Sequence, residues 1–285
     1  MGLSYRQALR RTQEALSAAG VPDPALDAEW LMVYVTGMDR LRLRLEGART
    51  LSPSAEAQLA TLTKRRCQRQ PLQYLLGTQA FYGLELRVDS RALIPRQETE
   101  TLCETGLEHL QALLQSGTSA PAALDLCTGS GALAIAIQHL CPTARVTATD
   151  LSRDALALAR ENASALGAQV RFLQGDLFLP VSGERFDLIL SNPPYVPTDQ
   201  CATLQAEVRC EPLMALDGGT DGLDFYRRIA AQAPAHLTPG GLLAVEVGDG
   251  QAPAVAALFS ALGHVRVRQD LYGQTRVVAV SASRM

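Results

Sequence analysis

With 285 residues the chain is long enough for one large domain and a smaller companion, and 47% hydrophobic with 19% charged residues is a globular composition. A net charge of −3 argues against wrapping nucleic acid by charge alone, and no apolar run approaches the roughly 18 residues of a membrane span. Six cysteines (67, 103, 127, 141, 201, 210) form no C-x-x-C pair and adjoin no histidine cluster, so reduced thiols are expected and a metal site is not.

The start leads into a charged helix and lacks the apolar core of a signal peptide, which favours the cytoplasm. Helical spacing predicts a helix over 6–19 closed by Gly20, and a second over 24–35 carrying Leu26, Trp30, Leu31 and Val35. Ser52-Pro53 reads as a cap with proline at the first helical position, opening a helix to about Gln70. That helix ends in Lys64-Arg-Arg-Cys-Gln-Arg69, four cations in six residues. A solvated helix end favoured by the macrodipole is the plain reading, and RNA contact the sharper one. Residues 1–77 hold 11 Lys+Arg against 7 Asp+Glu and the rest 15 against 22, a mild asymmetry of +4 and −7.

Pro71 to Gly77 reads as a connector, and 80–88 as two short strands around Gly83. An extended piece stops at Pro95, and a helix follows from Thr99 to about Leu114. From Ala122 the pattern becomes strand–helix–strand, the sign of a parallel sheet covered by helices. Strands are predicted over 122–126, 145–149, 170–174, 186–190 and 241–247. Helices fall from the loop at 127–131 to about 140, then over 154–166, 226–235 and 253–262. A terminal hairpin over 265–270 and 276–280 turns at Gly273.

Two loops carry chemistry. Ala123-Leu-Asp-Leu-Cys-Thr-Gly-Ser-Gly-Ala-Leu-Ala134 is a strand, glycine loop and helix start, and Asp150 lies 19 residues beyond Gly131, where a ribose-binding acid belongs. Alone, this pattern fits an NAD-linked oxidoreductase as well as a transferase with a nucleoside cofactor. Asp125, at the strand end, favours the second because a carboxylate there would meet a cationic amino-acid portion of the cofactor. The other loop is Phe186-Asp-Leu-Ile-Leu-Ser-Asn-Pro-Pro-Tyr195. Its apolar half forms a buried strand that the prolines stop. Asn192 then offers a side-chain carbonyl, and Pro193 and Pro194 have no N–H, so the loop is rich in acceptors and poor in donors. It suits a guest with a planar NH2 group, with Tyr195 as an aromatic wall. A turn that merely ends a strand is the bland alternative.

Asp125-x-x-x-Gly129-x-Gly131, Asp150, Asp176 and Asn192-Pro-Pro-Tyr195 resemble, in order and spacing, the class I methyltransferases that use S-adenosylmethionine. The flanking segments Pro71-x-Gln-Tyr74, Leu93-Ile-Pro-Arg-x-Glu-Thr-Glu100, Glu211-Pro, Gly218-Gly-x-Asp-Gly-Leu-x-Phe-Tyr226, Pro239-Gly-Gly241 and Glu246-x-Gly248 narrow the resemblance. They are similar to one family, the peptide chain release factor glutamine methyltransferases (PrmC/HemK), over about residues 4 to 280. The resemblance implies an α/β fold, a Rossmann-like, mostly parallel twisted sheet over 95–285. Before it come a small all-α substrate-recognition domain over 1–77 and a β-hairpin linker over 78–94. It implies S-adenosyl-L-methionine as cofactor, S-adenosyl-L-homocysteine as product and no metal. Asp125 and Cys127, Thr128, Gly129, Ser130 and Gly131 would hold the methionine part, Asp150 and Leu151 the ribose, and Asp176 and Leu177 the adenine. Asn192, Pro193, Pro194 and Tyr195 would hold the acceptor glutamine, Asn192 also touching the cofactor. The implied substrate is the Gly-Gly-Gln glutamine of release factors, with no nucleic-acid substrate, no membrane and a monomeric enzyme.

Two departures stand out: Cys127 replaces a glycine usual there, and Gln97 replaces a proline. If position 127 requires φ > 0, cysteine costs roughly 1–2 kcal/mol of strain. For catalysis, the Asn192 side-chain oxygen and the Pro193 carbonyl are expected to accept the two amide N–H bonds of the glutamine. No histidine or lysine is marked as a base, and Glu246 either orders the pocket wall or bonds backbone. Competing readings are a ribosomal-protein glutamine, adenine N6 of nucleic acid, an NAD-linked oxidoreductase that leaves 192–195 without a role, and a non-enzymatic binding module.

Overall fold

A computed structural model describes residues 2–282, which fall into two compact units. One runs to Thr78 and adds the short excursion Gln205–Cys210; the other is Gln79–Leu204 together with the chain from Glu211 onward. Among the described residues no helix is long and apolar enough to cross a membrane.

The first unit is helical: α1 (Tyr5–Ala18), α2 (Pro24–Thr36), α3 (Arg40–Leu45), α4 (Pro53–Cys67) and α5 (Leu72–Leu76). Ser4 and Gln7 form a reciprocal capping box at α1, and Ser52 caps α4 ahead of Pro53. Leu16, Leu31, Met32, Leu43, Leu59 and Leu62 fill its core. Helix α3 escapes sequence reading because Arg-Leu-Arg-Leu-Arg-Leu alternates with a period of two; Asp39 caps it, and Glu29 pairs with Arg40 and Arg44. The expected connector 71–77 is largely α5, ended by Gly77 at φ +80°.

The basic end of α4 is solvated only in part: Lys64 and Arg65 are exposed, whereas Arg66 and Arg69 turn inward. The Arg66 side chain is only 6% exposed and donates to Asp27 (2.7 Å) and to Glu207 (2.8 Å). Arg69 forks onto both oxygens of Glu207 (2.6 and 2.7 Å), while Arg65 turns to Gln70. Burial raises the Glu207 carboxyl, but the hydrogen bonds from Arg69 and Arg66 prevail and bring it down to about 2. Arg66 and Arg69 therefore fasten Gln205–Cys210 into the helical unit.

The second unit opens with a hairpin, β1 (Thr78–Phe81) and β2 (Leu84–Arg87). Its two turn residues, Tyr82 and Gly83, both have positive φ, the turn that matches strand twist. Then come α6 (Thr99–Gln115), β3 (Ala122–Leu126), α7 (Ala132–Leu140), β4 (Arg145–Asp150), α8 (Arg153–Leu166), β5 (Val170–Gln174) and β6 (Phe186–Ser191). A single turn α9 (Thr198–Cys201), α10 (Asp224–His236), β7 (Leu237–Glu246), α11 (Ala252–Phe259), β8 (Gly263–Gln269) and β9 (Thr275–Ala282) complete it.

Seven strands lie in the order β5-β4-β3-β6-β7-β9-β8. The five strands from β5 to β7 are parallel, and β9 and β8 add an antiparallel edge. The expected mostly parallel Rossmann-like sheet and terminal hairpin are both present. Side chains of β6 and β7 alternate between two cores: Leu188, Leu190, Leu242 and Ala244 face one, Ile189, Leu243 and Val245 the other. Burial on both faces explains why these strands read as continuous apolar runs. The chain steps outward from β3 through β4 to β5 and returns beside β3 as β6. The carboxyl ends of β3 and β6 thus flank the switch in strand order, where such sheets bind ligands.

Candidate active site

At that switch a cavity of about 490 Å³ opens, within the range of small-molecule sites. One wall is the loop after β3. Its backbone turns through positive φ at Cys127 (+59°), Gly129 (+55°) and Gly131 (+85°), so the strained cysteine anticipated from sequence is real. At Gly131 the glycine is required by packing too: a Cβ would stand 3.0 Å from Ile135 Cδ1 and 3.1 Å from Ala159 Cβ. Beside Gly129 there is open space, so the loop backbone is bare toward a ligand.

Asp125 lies outside the cavity lining, beneath the loop. It is 2% exposed, and its Oδ2 accepts Thr128 Oγ1 (2.6 Å) and Ala134 N (3.2 Å), bracing the loop from beneath. Oδ1 has no partner. Burial pushes this carboxyl up to about 7 despite those two bonds. Gly131 likewise lies outside the lining, whereas Cys127, Thr128, Gly129 and Ser130 form it. Burial also pushes the Cys127 thiol up, so it rests as a neutral wall.

Asp150 and Leu151, at the end of β4, line the next wall. Asp150 Oδ2 accepts Gly129 N (2.9 Å) and Oδ1 accepts Ser152 N (2.8 Å), which leaves each oxygen lone-pair capacity for a hydroxyl. Asp176 and Leu177 follow β5. Leu177 sits at φ +46° with its carbonyl held by Thr149 Oγ1 (3.0 Å). Asp176 is already ion-paired to Arg228, whose guanidinium lies 5.7 Å over the Phe225 ring. Arg228 and Phe225 both line the cavity and escaped sequence reasoning: Phe225 lies in a segment matched only as a pattern, and nothing marked Arg228.

The acceptor loop leaves β6 at Ser191. Asn192 and Pro194 line the cavity; Pro193 and Tyr195 do not. Tyr195 is half-buried behind Asn192 and Pro194. Its carbonyl accepts Gln251 Nε2 (2.9 Å), and its ring packs so closely on Gly248 that a Cβ there would meet Cδ2 at 3.0 Å. Asn192 Nδ2 donates to Thr99 Oγ1 at 3.1 Å. Behind the loop runs the stretch after β6 that ends in Gly218-Gly219: Val196 N donates to Leu216 O and Gly218 N to Val196 O. A Cβ at Gly218 would stand 2.7 Å from Tyr195 Cα, and at Gly222 2.3 Å from the Tyr195 carbonyl oxygen. The glycines of 218–222 thus let backbone lie against backbone. Across the cavity Glu211, 1% exposed by its side chain, accepts Ile94 N (2.9 Å) and pairs with Arg96.

The profile of the PrmC N-terminal domain matches residues 7–77, and that of the methyltransferase small domain residues 103–209. The chain is 44% identical over 278 residues to the release factor glutamine methyltransferase of Geobacter sulfurreducens, covering 96% of this chain and 95% of that protein. It is 44% identical over 277 residues to the protein of the same name from Deinococcus radiodurans, covering 97% and 98%. A crystal structure of a methyltransferase from Pyrococcus furiosus is similar in fold, with a TM-score of 0.52 at 20% identity over 78% of this chain and 99% of that one.

Proposed function

The chain belongs to the release factor glutamine methyltransferase family, and we propose that it methylates the side-chain amide nitrogen of the Gly-Gly-Gln glutamine of peptide chain release factors, in the cytoplasm, with S-adenosyl-L-methionine as donor. The observation that carries this reading is that Asn192 and Pro194 line the same cavity as the glycine loop and Asp150. Donor and acceptor chemistry therefore share one enclosure.

The residues fit the donor. Cys127 to Ser130 present a bare, sharply turned backbone to its amino-acid part, and Asp150 retains acceptor capacity for ribose hydroxyls. Leu177 with Phe225 and Arg228 offers apolar and cationic surface to a purine. When bound, the donor supplies a methyl on a sulfonium, transferred as the N–C bond forms and the C–S bond pair leaves with sulfur.

Asn192 Oδ1 accepts one N–H bond of the glutamine amide at the cavity wall, and the backbone carbonyl of Pro193, between the lining residues Asn192 and Pro194, takes the other. Both hydrogens are then occupied, and the nitrogen lone pair is held toward the cavity. Alignment of this kind contributes about 7–11 kcal/mol as effective molarity. Pro193 and Pro194 keep competing N–H donors out of the loop. The methylated amide cation is acidic enough to lose its proton to water, so no side-chain base is required. Residues 1–77 contribute recognition of the protein substrate, and the enzyme acts as a monomer.

Replacing Asn192 by Ala deletes one acceptor. Turnover on purified release factor should fall at least about 100-fold, while calorimetry still detects cofactor binding; near-normal turnover would refute the assignment of Asn192.

A further inference from the structure

Helix α8 buries Ala155, Leu156, Leu158, Ala159 and Ala163, and among them one carboxamide, Asn162, 1% exposed. Asparagine is a poor helix former, and burying its side chain is costly unless its polar atoms are hydrogen-bonded. Both are met here. Oδ1 accepts Arg87 N (2.8 Å) and Nδ2 donates to Arg87 O (3.1 Å), so the amide pairs with the end of β2 as a neighbouring strand would. The second Nδ2 proton goes to the Ser130 carbonyl of the glycine loop (2.9 Å). Asn162 itself lies outside the cavity lining, whereas Ser130 belongs to it.

We propose that Asn162 is a positioning residue for the methyl donor, holding the Ser130–Gly131 peptide so that the glycine loop is preformed for S-adenosylmethionine; this rests on the function assigned above. A peptide beside glycine turns over easily, because glycine takes either sign of φ. The loop depends on one such choice at each turn, with positive φ at residues 127, 129 and 131. Its earlier peptides are anchored to the end of β4: Thr128 N donates to Thr149 O (3.1 Å) and Gly129 N to Asp150 Oδ2 (2.9 Å). The N–H of the Ser130–Gly131 peptide stays within the loop, on Thr128 O (2.9 Å). Its carbonyl, on Asn162, is therefore what ties this peptide to the rest of the fold. Ala159, three residues earlier on α8, packs where a Cβ on Gly131 would stand 3.1 Å away. Positions 159 and 162, neighbours on one helix face, form the floor of the loop.

The role is specific to a carboxamide. Aspartate has the same shape, but an ionised carboxylate only accepts. At position 162 it would face the carbonyls of Ser130 and Arg87 with no proton between them. Leucine keeps the bulk and suits the helix, yet leaves the Ser130 carbonyl without its donor. Either change frees the Ser130–Gly131 peptide to turn over. The donor then meets a loop that must be ordered on binding, and its affinity falls. Asn192 and Pro194 stand on the loop after β6 and keep their places, so affinity for the protein substrate is spared.

The test uses the full chain with S-adenosylmethionine and purified release factor. In Asn162→Asp, calorimetry should show cofactor binding weakened at least about 10-fold. The cofactor KM should rise with it, while the release-factor KM moves less than about threefold. Asn162→Leu, which keeps the helix well formed, should give the same split. Hydrogen exchange of the unligated variants, read by mass spectrometry, should speed up over residues 127–134 and not over 242–246. Ala163→Gly is the control: it weakens the same helix and leaves the three Asn162 hydrogen bonds in place. Its melting temperature should drop while its cofactor affinity stays within about threefold of the unaltered chain. Unchanged cofactor affinity in the Asn162 variants, or an equal loss in Ala163→Gly, would overturn the proposal. Cofactor affinity lost as expected in a chain that methylates no release factor would support the role of Asn162 and remove the assigned substrate instead.

Discussion

Gly218 touches the acceptor loop so closely that one added methyl group would stand 2.7 Å from Tyr195 Cα and 2.8 Å from the Pro194 carbonyl oxygen. Backbone cannot yield as a flexible side chain can, so Gly218→Ala should shift the loop, lowering kcat more than about tenfold and stability by about 1–3 kcal/mol. Assays of turnover and urea denaturation on the same preparation check both. Cys127 makes the opposite case. Its φ of +59° costs roughly 1–2 kcal/mol, but glycine there would enlarge the unfolded ensemble by about 0.5–1 kcal/mol. Cys127→Gly should therefore stay within about 1 kcal/mol of the parent in urea denaturation and keep its turnover. Most site residues were legible because they sit in short, spaced patterns: the strand–glycine–helix turn, the acid after the next strand, and Asn-Pro-Pro-Tyr. What was not legible is how each is held. Spacing marks Asp125, but only tertiary packing gives it Thr128 and Ala134 as partners beneath the loop. Thr99 and Asn192, 93 residues apart, could be joined only by the fold.

At the scale of elements, buried carboxylates set how stability responds to pH. Asp125 at the end of β3 and Glu246 at the end of β7 are both pushed up to about 7 by burial. Their folded values exceed their unfolded ones, so between roughly pH 4 and 7 the native state holds protons that the unfolded chain releases. Stability should decline as pH rises through that window, by on the order of 3 kcal/mol per group, and level off above it. Glu246→Gln should remove part of the slope in thermal melts from pH 5 to 8; an unchanged slope would contradict the assignment. Glu207 works in a lower window with the opposite sign: its carboxyl lies at about 2, so its contribution is present above about pH 4.5 and lost as pH falls through 2. Glu207→Ala would leave Arg66 with Asp27 alone and Arg69 without its acid, and should cost about 1–3 kcal/mol in urea denaturation. A charge run is an ambiguous sign in sequence, because nothing local announces that a segment 138 residues away supplies the counter-charge. The alternation in α3 misled for a related reason, since capping by Asp39 and pairing with Glu29 decide its form.

For the whole molecule, the strand order explains why donor and acceptor chemistry meet. The chain leaves β3 on one side and comes back as β6 on the other, so the glycine loop and the Asn-Pro-Pro loop rise from neighbouring strands paired from Ala123–Leu188 to Leu126–Ser191. Parallel strands buried on both faces made this architecture readable from apolar runs alone, whereas the sheet order required the fold. In the proposed function this pairing serves a glutamine amide on a release factor. The most direct measurement supplies radiolabelled S-adenosylmethionine together with a release factor, its Gly-Gly-Ala variant, a ribosomal protein and DNA. Label on the release factor alone, located on the Gly-Gly-Gln glutamine and absent from the Ala variant, is the expected result. Labelled DNA or ribosomal protein beside an unlabelled release factor would contradict the account.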